Sequence, residues 1–228
     1  MQSVAANLQQ VSKLIIAAEQ RFARALGTVK LLAVSKSQPI EKIEAAITAG
    51  QYAFGENYVQ EALTKIAEIK HPAVEWHFIG AIQSNKTKAI AEHFTWAHSV
   101  TSLKAAEKLN QYRSTTKTPL NICVEVNVDE ENSKNGVSLT EIEKLISAII
   151  KLPNLKLRGL MAIPAAKNNF EEQRKSFHKL KIAYEKLQEK GFNLDTLSMG
   201  MSADFAAAIA EGSTMVRLGT AIFGERKK

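Results

Sequence analysis

Short runs rich in β-forming residues alternate with longer stretches of helical periodicity along this chain. Eight such runs occur in the 228 residues, and stretches with apolar residues at helical spacing separate them. Alternation of this kind predicts a parallel sheet, because a helix has to carry the chain back to the start of the next strand. The predicted strands are residues 30–36, 52–55, 75–80, 96–100, 120–128, 156–162, 196–199 and 215–218.

The predicted helices cover residues 39–49, 58–69, 86–92, 103–112, 139–152, 169–190 and 203–211, and the segment up to Leu26 has the pattern of an additional amphipathic helix. Eight strand–helix units in a chain of nearly the usual ~250 residues predict an α/β fold, a single (β/α)₈ TIM barrel over residues 1–228. A doubly wound open sheet is the alternative. It rarely needs eight units, and no Gly-x-Gly-x-x-Gly sequence follows the first strand.

Composition limits the class of protein. Hydrophobic residues make up 45% of the chain, and no run approaches the roughly 20 apolar residues that span a bilayer. We see no signal peptide, and the one cysteine, Cys123, excludes an intramolecular disulfide, so we expect a soluble cytoplasmic protein. The net charge of +7 is dispersed except at residues 226–228. No nucleic-acid-binding motif accompanies it, so we expect no nucleic-acid partner.

Lys36 ends the first predicted strand, after the run Leu31-Leu32-Ala33-Val34-Ser35. In (β/α)₈ proteins the reactive groups lie at the C-terminal ends of the strands. Burial disfavours an ammonium ion, so a lysine at this position can supply the neutral amine that attacks an aldehyde. The alternative is a lysine that leaves the strand and extends to water, which is the commoner arrangement.

The residues that follow the other strands become neighbours of Lys36 if the barrel forms. Phosphate sites in this fold are often built from the loops after strands seven and eight, where glycines allow close approach and hydroxyls donate hydrogen bonds. Ser202 and Thr220 supply those hydroxyls here, although Ser202 could equally be a simple helix cap. The residues expected at the mouth are Glu56, Asn57, His77, Gln83, Met201, Ser202, Arg217, Gly219 and Thr220.

Arg217 lies between apolar residues of the eighth strand, so if it points inwards it needs a partner, either Glu125 or a ligand. It could instead point outwards to solvent. No histidine has metal-ligand spacing with a nearby carboxylate, and no Ser-His-Asp or Cys-His arrangement is evident, so we expect neither a metal site nor a separate catalytic group. A lysine nucleophile opposite a phosphate site predicts a pocket for a phosphorylated aldehyde, of which pyridoxal 5′-phosphate is the obvious example.

Several ordered blocks along the chain carry a resemblance to one family. They are Ala33-Val34-Ser35-Lys36, Gly55-Glu56-Asn57-Tyr58-Val59-Gln60-Glu61, Trp76-His77-Phe78-Ile79-Gly80, Gln83-Ser84-Asn85-Lys86, residues 129–136, Leu197-Ser198-Met199-Gly200-Met201-Ser202 and Arg217-Leu218-Gly219-Thr220. Through them the sequence closely resembles the pyridoxal phosphate homeostasis protein family, also called the YggS/PROSC or alanine-racemase-like N-terminal-domain family. The resemblance extends over essentially the whole chain. Ser37 and Ala81-Ile82 depart from the usual family pattern, away from the expected contacts.

The resemblance implies that Lys36 carries pyridoxal phosphate as an internal aldimine and that Arg217 faces the pyridine nitrogen. It also implies that Ser202, Gly219 and Thr220 hold the phosphate, while Asn57 and His77 line the pocket. An arginine beside the ring nitrogen disfavours its protonation and makes the ring a poorer electron sink.

Two functions fit such a site. One is a carrier that buffers pyridoxal phosphate and delivers it, with apo-enzymes as candidate recipients, without turnover. The other is an amino-acid racemase, which needs a second general base. By resemblance, racemases of this fold take that base from an additional C-terminal domain and a partner subunit, and about ten residues follow the eighth strand here. We therefore favour the carrier, as a monomer or weak dimer. A nucleic-acid-interacting barrel is a distant third alternative, which salt-sensitive binding would support.

Overall fold

The fold is a closed barrel of eight parallel strands, seen in a computed structural model that describes residues 3–115, 117–131 and 134–225. The strands pair in chain order, and β1 closes the barrel by pairing with β8. The predicted TIM barrel is therefore confirmed. The strands are β1 Lys30–Val34, β2 Ala53–Glu56, β3 Glu75–Phe78, β4 Trp96–Val100, β5 Leu120–Glu125, β6 Leu155–Met161, β7 Thr196–Ser198 and β8 Met215–Leu218.

Helices follow the strands around the barrel, as the alternation predicts. The expected additional N-terminal helix is α1, Val4–Arg21. One more short helix, α9 Thr220–Phe223, follows the last strand. The remaining helices are α2 Ile40–Thr48, α3 Val59–Glu68, α4 Thr87–His93, α5 Leu103–Tyr112, α6 Ile142–Ile149, α7 Phe170–Glu189 and α8 Phe205–Ala210.

Among the strands, the largest differences from the predicted boundaries occur where the chain leaves the barrel. The first strand ends at Val34 and not at Lys36, so Lys36 lies in the turn before α2. The fifth ends at Glu125, after which Val126 forms an isolated bridge with Val137 and donates its amide to the Met161 carbonyl at 2.8 Å. The N-terminal helix stops at Arg21, and Ala23 then takes a left-handed conformation with φ of 53°.

Helices α1 and α2 hold α9 in place beside the last strand. The apolar face of α1, with Leu8, Val11 and Ile15 buried, packs against the barrel. At the carbonyl end of α9, Asn7 donates a hydrogen bond to the Ile222 carbonyl at 2.9 Å, and Lys42 donates to Phe223 at 2.5 Å. The extra N-terminal helix therefore supports α9, which follows the last strand.

Two further observations from the sequence concern Cys123 and the basic cluster near the C-terminus. Cys123 is buried in the barrel, and burial raises the pKa of its thiol to about 12, which suits an inert thiol. The basic cluster at residues 226–228 lies outside the described residues. Within the described part of the chain, no helix is long and apolar enough to cross a bilayer.

Candidate functional site

A cavity of about 330 Å³ opens at the C-terminal end of the barrel. Six of the seven predicted site residues line it, including Lys36 after β1, Ser202 after β7, and Thr220 after β8. Its size and position match those of ligand sites in this fold. The lining residues are Val34, Lys36, Gln38, Asn57, Ile79, Ile163, Met201, Ser202, Ala203, Arg217, Gly219, Thr220 and Gly224.

Lys36 lies in a tight turn that directs it into this cavity. The Ser35 amide donates to the Gly55 carbonyl at 3.0 Å and keeps the chain in strand register up to this point. Ser37 then adopts a left-handed conformation with φ of 58°, and the Gln38 amide returns to the Ser35 carbonyl at 3.1 Å. Left-handed backbone is uncommon for a serine, so neighbouring contacts have to stabilise the turn.

The stabilising contacts come from three charged side chains, Glu56, Lys65 and Glu61, which we call the charged triad. The buried Lys65 ammonium donates to the Ser35 carbonyl at 2.7 Å, to Glu56 Oε1 at 2.7 Å and to Glu61 Oε1 at 2.6 Å. Glu61 Oε1 also accepts the Ser37 amide at 2.6 Å. The triad therefore holds the two residues that flank Lys36.

Glu56 has the largest desolvation cost of the three charged groups, since it is fully buried. Its Oε1 accepts from the Ser35 hydroxyl at 2.6 Å as well as from Lys65, but its Oε2 is buried without a hydrogen-bond partner among the described residues. Burial raises the pKa of the Glu56 carboxyl, while the charge and hydrogen bond of Lys65 oppose that rise. The position of the turn thus depends on a buried charge pair.

The loops after β7 and β8 form another part of the cavity wall, beside β1, with which β8 pairs. Gly200 turns the first loop with φ of 96°, and Asp204 accepts the Met201 amide at 2.5 Å. Ser202 and Thr220 are both exposed at the cavity wall, and α9 begins at Thr220. Two hydroxyls beside the first backbone N–H groups of a helical turn can bind an anion.

Arg217 forms the base of the cavity and points into the barrel, so the outward alternative is wrong. One of its terminal nitrogens donates to the Ser198 carbonyl at 2.5 Å and the Ser198 hydroxyl at 2.9 Å, and the other to the Ala162 carbonyl at 2.9 Å. Burial lowers the pKa of its guanidinium to about 10, although the negative charges of Asp204 and Glu125 act to raise it. The guanidinium therefore stays positive at neutral pH. Glu125 acts only through its charge.

The structure does not bring His77 to this cavity, contrary to the sequence-based expectation. β3 ends at Phe78, so the inward-facing position at the depth of the mouth belongs to Ile79, two residues beyond His77. The His77 ring is 1% exposed, stacks on Trp96, and hydrogen bonds to His98. His77 is therefore an interior residue of the barrel and not part of the cavity wall.

Asn57 lies between the main cavity and a neighbouring one of about 460 Å³. Its Oδ1 is buried without a hydrogen-bond partner among the described residues, so a ligand with a donor group would satisfy it. Gln83 and Lys86 line the neighbouring cavity and not the main one. A further cavity of about 340 Å³ between α6 and α7 contains none of the predicted site residues.

Sequence reasoning missed residues that support the site from behind. Lys65 follows Glu61 by four residues on a helix, which looks like an ordinary surface pair, and its burial gives no sequence signal. Ser198 and His98 lie inside the barrel, where strand alternation alone could have placed them.

The cavity itself combines an amine, a guanidinium, an acceptor without a partner among the described residues, and two hydroxyls. This set fits a small anionic ligand with a reactive carbonyl.

Comparison with known proteins agrees with this geometry. Residues 2–227 match the family described as "Alanine racemase, N-terminal domain". The "Pyridoxal phosphate homeostasis protein" of Escherichia coli K12 is 48% identical over 229 residues, which cover 99% of this chain and 98% of that protein. The structure of PipY from Synechococcus elongatus with pyridoxal phosphate bound is 34% identical, with a TM-score of 0.83 over 97% of this chain and 100% of that one.

A more distant likeness concerns the fold alone. Alanine racemase from Corynebacterium glutamicum is 19% identical, with a TM-score of 0.71 over 99% of this chain and 61% of that one. The full-length matches at high identity are much more specific than this one. The chain belongs to the family of pyridoxal phosphate homeostasis proteins, which share the alanine racemase N-terminal domain.

Proposed function

We propose that this chain binds pyridoxal 5′-phosphate in the barrel-mouth cavity through a Schiff base with Lys36, and that it buffers and delivers the cofactor in the cytoplasm without turnover. The observation that carries this proposal is one cavity that is lined both by Lys36 and by the loops that present Ser202 and Thr220. The cofactor supplies an aldehyde, a phosphate and a ring nitrogen. The relatives' names and the ligand in PipY support the same ligand.

Each group of the cofactor has a counterpart in the cavity. Ser202, Gly219 and Thr220 would bind the phosphate with hydroxyl and backbone donors. Arg217 would donate to the ring nitrogen, because its three bonds to Ser198 and Ala162 use at most three of its five N–H groups. A positive guanidinium there disfavours a protonated ring, which weakens the ring as an electron sink.

The cavity lining favours a carrier over a racemase. Among the described residues that line it, Lys36 and Arg217 are the ionisable side chains, so no second base faces the cavity. Tyr184 donates its hydroxyl to the Leu194 carbonyl, and Tyr58 is exposed at the neighbouring cavity. Exposed residues at the mouth also suit exchange with water and with recipient apo-enzymes more than guarded carbanion chemistry. We expect a monomer or weak dimer.

The direct test of the proposal uses the absorption of the bound cofactor. Wild-type protein incubated with pyridoxal phosphate is expected to turn yellow, and borohydride should bleach it and fix the label on Lys36. Lys36→Ala should lose the visible band entirely but retain weaker binding through the phosphate, while the matched variant Lys86→Ala, in the neighbouring cavity, should keep the band. A colourless wild type, or a label on another lysine, would refute the assignment.

The absence of turnover has its own test. With loaded protein in deuterium oxide, a panel of amino acids should show no exchange at Cα above the rate with free pyridoxal phosphate, because no second base faces the cavity among its described lining residues. Proton NMR of the amino acids measures this exchange. Fast and stereospecific exchange that Lys36→Ala abolishes would establish the racemase in place of the carrier.

A further inference from the structure

A line of hydrogen-bonded side chains runs through the barrel interior beneath the cavity, and we call it the interior chain. It starts at Arg217, whose guanidinium donates to the Ser198 hydroxyl at 2.9 Å. Ser198 Oγ lies 2.9 Å from His98 Nδ1, and His98 Nε2 lies 2.9 Å from His77 Nδ1. The hydrogen bonds end there: His77 Nε2 has no hydrogen-bond partner among the described residues and faces a carboxylate oxygen of Glu75 at 3.6 Å, at the start of β3.

The interior chain is buried and closely packed. Ser198 and His98 are 0% exposed, and His77 is 1% exposed. The His77 ring stacks on Trp96 with 5.2 Å between the ring centroids and 8° between the planes. Polar groups this deeply buried are costly unless they are paired, so each bond of the chain constrains the next one.

The donors and acceptors of the interior chain can be assigned in one direction. A guanidinium only donates, so the Ser198 oxygen accepts from Arg217 and its own hydrogen can go to His98 Nδ1. His98 then carries its hydrogen on Nε2 and donates to His77 Nδ1, which leaves the His77 Nε2–H facing Glu75. The reverse assignment would point a lone pair of His77 at the Glu75 carboxylate, which is unfavourable.

The charges around the two histidines keep the interior chain in this form. Burial lowers the pKa of His77; the nearby Glu75 carboxylate opposes that shift, and the charges of Lys30 and Arg158 add to it. Burial, His77 and Arg217 together lower the pKa of His98 well below its usual value. Both rings are therefore neutral, as the assignment requires.

We propose that Ser198 and His98, supported by His77, are positioning residues that orient the Arg217 guanidinium towards the ring nitrogen of the bound cofactor. This inference rests on the proposed function. The geometry carries it, because the Ser198 hydroxyl that binds Arg217 has its own direction fixed by His98, and His98 is fixed by His77. The interior chain thus links the cavity base to the opposite end of the barrel.

The test compares two probes, pyridoxal 5′-phosphate and its analogue in which C–H replaces the ring nitrogen. Ser198→Ala and His98→Gln are each expected to weaken binding of pyridoxal phosphate about tenfold, the value of one hydrogen bond to a charged group. Binding of the analogue should change less than twofold. The double variant should lose no more affinity for pyridoxal phosphate than either single variant, because each substitution interrupts the same line of hydrogen bonds to Arg217.

His98→Asn is the matched control, since asparagine can keep an acceptor near the position of Nδ1 for Ser198 while losing the contact with His77. It should bind pyridoxal phosphate more tightly than His98→Gln, and it keeps the test decisive if His98→Gln fails to fold. If the variants lose equal affinity for both probes, the residues have a merely structural role and the inference is wrong. Unchanged affinity for both probes would also overturn it. A wild type that binds neither probe would instead refute the proposed function itself.

Discussion

Lys65→Met is expected to lower the free energy of unfolding of the ligand-free protein by about 3–5 kcal/mol at pH 8, the usual cost of leaving a buried charge without its partner. Methionine keeps most of the aliphatic volume but removes the ammonium that neutralises Glu56 and holds the Ser35 carbonyl. Urea denaturation followed by circular dichroism measures this loss.

The loss should shrink as the pH falls. Burial already raises the folded-state pKa of Glu56, and Lys65 opposes that rise, so removing Lys65 raises the pKa further. A carboxyl whose pKa is higher in the folded state than in the unfolded state favours folding below its unfolded value of about 4.5. That contribution disappears as the pH rises through the folded-state pKa. The difference between variant and wild type is therefore expected to be smaller at pH 5 than at pH 8.

Two variants make this prediction specific. Adding Glu56→Gln to Lys65→Met should restore much of the stability at pH 8 and remove the pH dependence, because no carboxylate remains at position 56. Lys70→Met changes an exposed lysine just beyond the end of α3 and should have little effect. A deficit of Lys65→Met that is equal at pH 5 and pH 8 would contradict the buried-charge explanation.

The part of the site that the sequence predicts is the part that depends on topology. Lys36, Ser202 and Thr220 follow strands β1, β7 and β8, and a closed parallel barrel brings all such positions to one end. The order of elements therefore suffices to place them together. The ends of the strands need not be known to the residue, because loops of several residues can still reach the cavity.

The residues that sequence reasoning misplaced depend on depth and packing. His77 faces inwards as alternation predicts, but the end of β3 at Phe78 puts it two residues below the mouth. Glu56 was expected at the mouth, yet it is buried against Lys65 and the Ser35 hydroxyl. Both outcomes depend on how far each strand extends and on which side chains pack behind it, and local sequence does not encode these distances.

Gly200→Ala is expected to be the most disruptive single change in the loop after β7. Gly200 has φ of 96°, and an added Cβ would lie 2.6 Å from the Ala208 Cβ and 3.0 Å from the Phe205 Cα. The strained conformation costs roughly 1–2 kcal/mol and the overlap with α8 a further ~1–3 kcal/mol. We therefore expect a loss of about 2–5 kcal/mol in the free energy of unfolding, measured by urea denaturation.

Gly191→Ala separates these two contributions. Gly191 has a similar φ of 88°, but nothing lies within 4 Å of the position that an alanine Cβ would take, so only the conformational cost of roughly 1–2 kcal/mol applies.

The Gly200 carbonyl also accepts the Arg217 amide at 2.9 Å, so displacing this loop should move Ser202 away from the cavity base. Gly200→Ala should therefore weaken pyridoxal phosphate binding while Gly191→Ala leaves it unchanged. If both variants lower the free energy of unfolding equally, the contact with α8 adds no cost of its own. If Gly200→Ala binds pyridoxal phosphate as tightly as the wild type, this loop is not part of the phosphate site.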